Sequence, residues 1–194
     1  MGLLVNGRWQ DRWYDTEKTG GAFKRGETKF RRWITPDGAP GPDGQDALPA
    51  ARGRYHLYVS LACPWAHRTL IARRLKRLED VISLSVVDWH MGEHGWVFSD
   101  RDGTIPDTVN GASKLSEIYV KAQADFTGRV TVPVLWDRET ETIVNNESAE
   151  LLRIFNRSFD AFGDPSVDLS PEALLPEIDA MNESIYESVN NGVY

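Results

Sequence analysis

Tyr55-His56-Leu57-Tyr58-Val59-Ser60-Leu61-Ala62-Cys63-Pro64-Trp65-Ala66-His67-Arg68 is the stretch on which the reading of this chain turns. Tyr55–Leu61 is aromatic and aliphatic enough for a short buried strand. From Ala66 to Leu78, the residues Leu70, Ile71, Leu75 and Leu78 recur at helical spacing and predict an amphipathic helix. A strand therefore runs into a helix through Cys63. Pro64 suits the first helical turn, where its missing N–H loses no hydrogen bond, which leaves Cys63 at about the N-cap. Unpaired backbone N–H groups and the positive end of the helix dipole then face the sulfur. A thiol so placed is predicted to ionise below its ordinary pKa of roughly 8.5, towards or below neutrality. A lone cysteine can equally be a half-buried packing residue, but strand, Cys, Pro and helix in that order favour a nucleophile.

Cys63 is the only cysteine of 194 residues. Ala66 stands where a C-x-x-C motif would carry its second thiol, so a mixed disulfide at Cys63 has no internal partner to resolve it. A catalytic cycle must borrow an external thiol, and glutathione is the abundant one in a reducing cytosol. No disulfide can form within one chain, which agrees with a cytoplasmic setting.

Composition narrows the classes further. With 29 acidic against 22 basic residues the formal charge is −7, and no basic stripe is interleaved with aromatics, so nucleic acid is not an expected partner. No apolar run approaches the roughly 20 residues needed to span a bilayer, and Met1–Asn6 is too short for a signal-peptide core. A soluble, intracellular protein is expected.

Outward from the cysteine, residues 1–50 mix Gly, Pro and charge with Trp9, Trp13, Phe23, Phe30 and Trp33, and are read as a mostly irregular extension pinned by its aromatics. Arg73, Arg74, Lys76 and Arg77 fit a solvated face that favours the helix C-terminus. Val81–Val87 reads as a second strand, parallel to the first. Asp88–Gly111 is a long polar connection of the kind that often carries function. It contains His90 and His94, but the glycines between and beside them argue against a metal-binding helix, and no metal is expected. Ser113–Phe126 reads as a helix with Ser113 as cap. Arg129–Trp136 is strand-like but interrupted by Pro133, and Thr142–Val144 completes a hairpin. Asn146-Glu147-Ser148 then opens a helix with an apolar face of Leu151, Leu152, Ile154 and Phe155. The start of that helix can hold a carboxylate at the Ser148 hydroxyl and an ammonium at Glu147, although as plain caps these residues need no ligand. After a linker at Gly163-Asp164-Pro165, a helix is expected from Ser170-Pro171 to about Asn190.

Cys63-Pro-Trp-Ala-His-Arg, Asp88-Trp89-His90, Gly95-Trp96, Arg129-Val-Thr-Val-Pro-Val-Leu135 and Asn146-Glu147-Ser148, with Phe30–Ile34 upstream, resemble the glutathionyl-hydroquinone reductases, the xi-class glutathione transferases. The likeness runs along most of the chain. It implies an α/β, thioredoxin-like glutathione-binding domain over residues 51–160, with a mixed four-stranded sheet, after the 1–50 extension. Residues 161–194 would be a linker and the first helix of an all-α domain continuing past Tyr194, which makes the chain a fragment or a truncated form. Glutathione would be the co-substrate and glutathionylated aromatic quinols the other partner, and a homodimer is compatible with the likeness.

The resemblance further implies that Cys63 forms a mixed disulfide with glutathione and that Tyr194 is a proton donor. Trp96, Arg129, Val130, Thr131, Val132, Glu147 and Ser148 would bind glutathione. The Val132–Pro133 bond is expected to be cis, opening the Val132 backbone beside the thiol to an extended peptide. Trp96 also fits as an ordinary packing indole, Arg129 as a solvent-facing side chain, and Pro133 as a trans proline at a strand start. A broader cysteine-type thiol transferase or dehydroascorbate reductase, and a catalytically silent glutathione-binding module, are the competing functions.

Overall fold

Tyr55 to Ser60 alternate between two faces that are both covered, so this strand lies at the centre of the sheet. The structure, a computed structural model, describes residues 2–12, 26 and 28–192; Trp13, Phe23 and Tyr194 lie outside the described residues. In chain order the elements are β1 (Leu3–Val5), β2 (Arg8–Gln10), β3 (Trp33–Thr35), β4 (Ala47–Pro49), β5 (Tyr55–Ser60), α1 (Pro64–Leu75), β6 (Ser83–Val87), α2 (Leu115–Ala122), β7 (Gly128–Arg129), β8 (Val134–Asp137), β9 (Thr142–Asn145), α3 (Ser148–Arg157) and α4 (Leu175–Ile185). A mixed four-stranded sheet in the order β6-β5-β8-β9 has β5 and β6 parallel and the other neighbours antiparallel. With α1 crossing from β5 to β6, this is the thioredoxin-like arrangement.

Strand alternation assigns the two faces of β5. Tyr55 meets Phe159, just past α3, edge to face. His56 and Tyr58 point the other way, towards Ser83, Ser85 and the long connection after β6, where the Tyr58 hydroxyl donates to Asp107 at 2.9 Å.

Several local expectations give way to tertiary packing. Helix α1 buries Ala66, Thr69 and Ala72, while Ile71 and Leu75 stay 48% and 46% exposed and Leu78, beyond the helix, is fully covered. Small side chains face inward because α1 packs against both β5 and α3. Within the basic cluster only Arg74 and Arg77 are exposed. Lys76 is buried, its ammonium donating to Asp160 and to the Val167 carbonyl at 2.8 Å each, and Arg73 binds the carbonyls of Ile82 and Glu79. Helix α2 is capped at Lys114 rather than Ser113, whose amide and hydroxyl both engage the Glu117 carboxylate. A 3-10 turn at Glu172–Leu174 precedes α4, and a wider turn at Tyr186–Asn190 follows it. Ser170 is drawn off to accept from Asn156 instead of capping. None of the residues of α4 is buried.

The described residues among the first 50 carry more regular structure than their Gly and Pro content suggested. β1 and β2 form a hairpin that takes β7 as a third strand, and β3 and β4 pair in parallel. Phe30–Arg32 runs along the edge of β9, with the Arg32 amide donating to Val144 and the Asn146 amide to Phe30. An edge that would otherwise present unpaired backbone is thereby covered. Among the described residues no helix is long and apolar enough to cross a membrane.

His56 is wholly buried, with Nδ1 2.6 Å from Ser83 Oγ and Nε2 2.9 Å from Ser85 Oγ. Ser85 spends its proton on the Pro106 carbonyl, so it accepts from Nε2–H, and the ring is satisfied while neutral. Burial lowers its pKa to about 4, helped by the nearby Arg138 charge. Above pH 6.5 the ring is neutral both folded and unfolded. As pH falls from 6.5 to about 4 only the unfolded chain takes up the proton, which removes about 3 kcal/mol of stability. The stability advantage of the wild type over His56→Gln should therefore shrink over that window in equilibrium unfolding, and parallel pH curves would contradict the assignment.

Candidate active site

Cys63 is the N-cap of α1, with extended dihedrals (φ −100°, ψ 114°) and Pro64 in the first turn. Its carbonyl accepts the His67 amide at 3.0 Å, while its side chain is left out of the cap and lies half-buried. The sulfur lies 3.7 Å from the carbonyl oxygen of Val132, and the Val132–Pro133 bond is cis. Pro133 interrupts the strand-like run as expected, and β7 joins the N-terminal hairpin while β8 joins the central sheet.

A second helix start lies close by. Glu147 is the N-cap of α3 and its carboxylate accepts the Ala149 amide at 3.2 Å; Thr28 Oγ1 reaches the same carboxylate at 3.4 Å. Ser148 begins the helix and is almost fully buried. Arg68, in α1, donates through Nε and Nη2 to Ser148 Oγ at 3.1 and 2.7 Å, and its guanidinium lies 5.0 Å from the centre of the Trp65 ring. Burial pulls the Arg68 pKa down, opposed by the negative charges of Glu147 and Cys63. A thiolate at Cys63 would thus sit at the positive end of α1 with a guanidinium in reach, the kind of setting that favours ionised cysteine.

Tyr119 ties the two approaches together. Its hydroxyl donates to the Thr131 carbonyl at 2.9 Å and accepts from Asn146 Nδ2 at 3.1 Å and from the Thr131 amide at 3.3 Å. The segment carrying Val132 and the residue before Glu147 are held by one buried phenol, whose pKa burial raises. Asn145 adds a further brace, accepting from the Glu147 amide at 2.8 Å and donating to the Arg32 carbonyl and Glu150.

The other candidates are dispersed. Val130 and Val132 are buried, and the Thr131 backbone is occupied by Tyr119. Arg129 lies in β7 against Leu3 of β1, its guanidinium donating to the Arg12 carbonyl. Trp96 is only 7% exposed, in a loop whose backbone receives the Leu115 amide. Gly95 beside it has φ +69°, and a Cβ there would meet the Trp9 ring at 2.5 Å, so the N-terminal hairpin packs on this loop. Among the described residues no group of three His, Cys, Asp or Glu side chains could hold a metal ion.

Sequence reasoning missed Arg68 and Tyr119. Arg68 was visible inside the Cys63 motif, yet nothing local paired it with Ser148; nothing near Tyr119 in the sequence marks the partners of its hydroxyl.

Sheet order, a cis proline and a cysteine at a helix start define a thioredoxin-like domain. Residues 62–158 match the glutathione S-transferase N-terminal domain, and the chain belongs to that family. Over 195 residues it is 55% identical to the glutathionyl-hydroquinone reductase YqjG of Escherichia coli, covering 100% of this chain and 60% of that protein. It is 48% identical to the glutathionyl-hydroquinone reductase PcpF of Sphingobium chlorophenolicum, covering 100% of this chain and 59% of the relative. The glutathione-bound structure of Escherichia coli YqjG superposes with a TM-score of 0.86 at 49% identity, covering 100% of this chain and 57% of that one. The chain thus spans about 60% of the length of the curated relatives it matches.

Replacing Tyr119 with Phe keeps the ring packed on Phe30 and Phe126 but strands the Thr131 carbonyl and the Asn146 side-chain Nδ2. Stability should fall by about 1–3 kcal/mol. Amide exchange should speed up at Thr131 and Glu147 more than in β5, and a uniform change across the sheet would contradict the tie.

Proposed function

We propose that this chain carries the glutathione-binding half of a glutathionyl-hydroquinone reductase. The observation that carries the proposal is the Cys63 sulfur 3.7 Å from the Val132 carbonyl. Beside it, the start of α3 offers Glu147 and Ser148. An extended γ-glutamyl-cysteinyl-glycine fits this arrangement: its cysteinyl unit pairs with the Val132 backbone, its α-carboxylate meets Ser148 and the N-terminus of α3, and its ammonium meets Glu147.

In the first step the Cys63 thiolate attacks the sulfur of a glutathionylated hydroquinone. A sulfur–sulfur bond forms, the carbon–sulfur bond breaks, and its electron pair passes to the ring carbon, which takes a proton. Carbon is a poor leaving group unless that proton is delivered in step. Tyr194 is the proposed donor. In the second step the thiolate of another glutathione attacks the mixed disulfide, releasing glutathione disulfide and restoring the Cys63 thiolate. The net reaction is glutathionyl-hydroquinone plus glutathione giving hydroquinone plus glutathione disulfide. A reducing compartment such as the cytoplasm supplies the second thiol. Trp96, Val130, Thr131 and Arg129 are further proposed glutathione contacts, with the Arg129 guanidinium already donating to the Arg12 carbonyl.

Cys63→Ser should lower turnover of a glutathionyl-hydroquinone by on the order of a thousandfold or more while leaving glutathione binding within a few-fold of the wild type. Full turnover by that variant would remove the thiolate from the reaction. Turnover of glutathionyl disulfides alone by the wild type would point to the broader thiol transferase, and binding without any turnover to a silent module.

A further inference from the structure

Arg68 stands out because it spends two of its donors on one serine. Its Nε and Nη2 both donate to Ser148 Oγ, at 3.1 and 2.7 Å. A hydroxyl has two acceptor lone pairs and one proton. With the acceptor side of Ser148 occupied by the guanidinium, the remaining function of that oxygen is to donate. Among the described residues, no hydrogen bond from the Ser148 hydroxyl to an acceptor is found. The oxygen is nearly buried at the first position of α3, where a bound anion would also meet helix N–H groups.

A short, uncommitted serine would serve an amide or an alcohol as readily as a carboxylate. Polarised by a cation on its far side, its proton can only suit an acceptor, and an anion best. Arg68 is itself held in place: the Trp65 ring lies 5.0 Å from its charge, and Glu147 and Cys63 attract it. Lysine could not reproduce two converging donors.

We propose that Arg68 is a positioning residue that locks the Ser148 hydroxyl as a donor and so makes this subsite selective for a carboxylate, the α-carboxylate of the γ-glutamyl group. The proposal rests on the glutathione-binding reading given above. It assigns the choice between carboxylate and neutral amide to a side chain of α1 that acts through the first residue of α3.

The test is a titration of the full chain with glutathione and with the analogue in which the γ-glutamyl α-carboxylate is a carboxamide. Wild type, Arg68→Lys, Arg68→Met, Ser148→Ala and the Arg68→Met/Ser148→Ala pair are compared, with thermal melts reporting folding. The wild type should prefer glutathione by about tenfold or more, because a site built around a fixed donor leaves its polar groups mismatched to the amide. That preference should collapse to within about threefold in both single Arg68 variants and in Ser148→Ala, and the double variant should be no worse than Ser148→Ala alone. Additive losses in the double variant, or undiminished preference in folded Arg68→Lys, would overturn the proposal. If Arg68→Met does not fold, Arg68→Lys and the wild-type preference still decide. A folded wild type that binds neither tripeptide would instead take down the glutathione reading, and this inference with it.

Discussion

Two helix starts held together by one guanidinium are the constraint from which the site follows. Cys63 caps α1, Ser148 opens α3, and Arg68 reaches from the first helix to the second. Converging two positive helix ends and a cation is unfavourable unless negative charge is placed among them. Glu147 provides part of it, and an ionised Cys63 provides more. A thiolate at Cys63 or an anionic ligand of the kind proposed above would each relieve this local positive potential.

The remaining polar contacts of the interior keep these groups where they are. Tyr119 joins the Thr131 backbone to Asn146, Asn145 braces Glu147, and the N-terminal extension closes over the edge of β9. At the hairpin between β8 and β9, Asp137 is fully buried yet accepts from Arg54 at 2.8 and 2.7 Å and from Thr140 at 2.6 Å. Net gains from such bonds are about 1 kcal/mol each, while leaving a buried partner unmet costs as much or more. Their effect is felt less as stability than as uniqueness: alternative packings would strand these groups.

Much of this was legible in the chain. A buried run ending at Cys63-Pro64 announced strand, turn and helix, since burial pattern and proline position are local properties. The helix begun by Asn146-Glu147-Ser148 was equally clear, its apolar face made by Leu151, Ile154 and Phe155. Ile71 and Leu75 misled, because helical spacing marks a face but does not say what covers it. Lys76 misled in the opposite sense: only the segment around Asp160 and Val167 turns it from a surface lysine into a buried one. The strands among the first 50 residues carried little signal of their own, being three-residue pieces that form only against partners elsewhere.

From the amino-acid order alone came the element types near the thiol, the lone sulfur and its capping position, all settled by neighbours along the backbone. Tertiary structure alone decided that Arg68 would meet Ser148 across 80 residues and that Tyr119 would hold Thr131 and Asn146 at once. Sheet order and helix packing choose such partners, because a side chain's hydrogen bonds depend on what the fold brings within about 3 Å of it and not on its own place in the sequence.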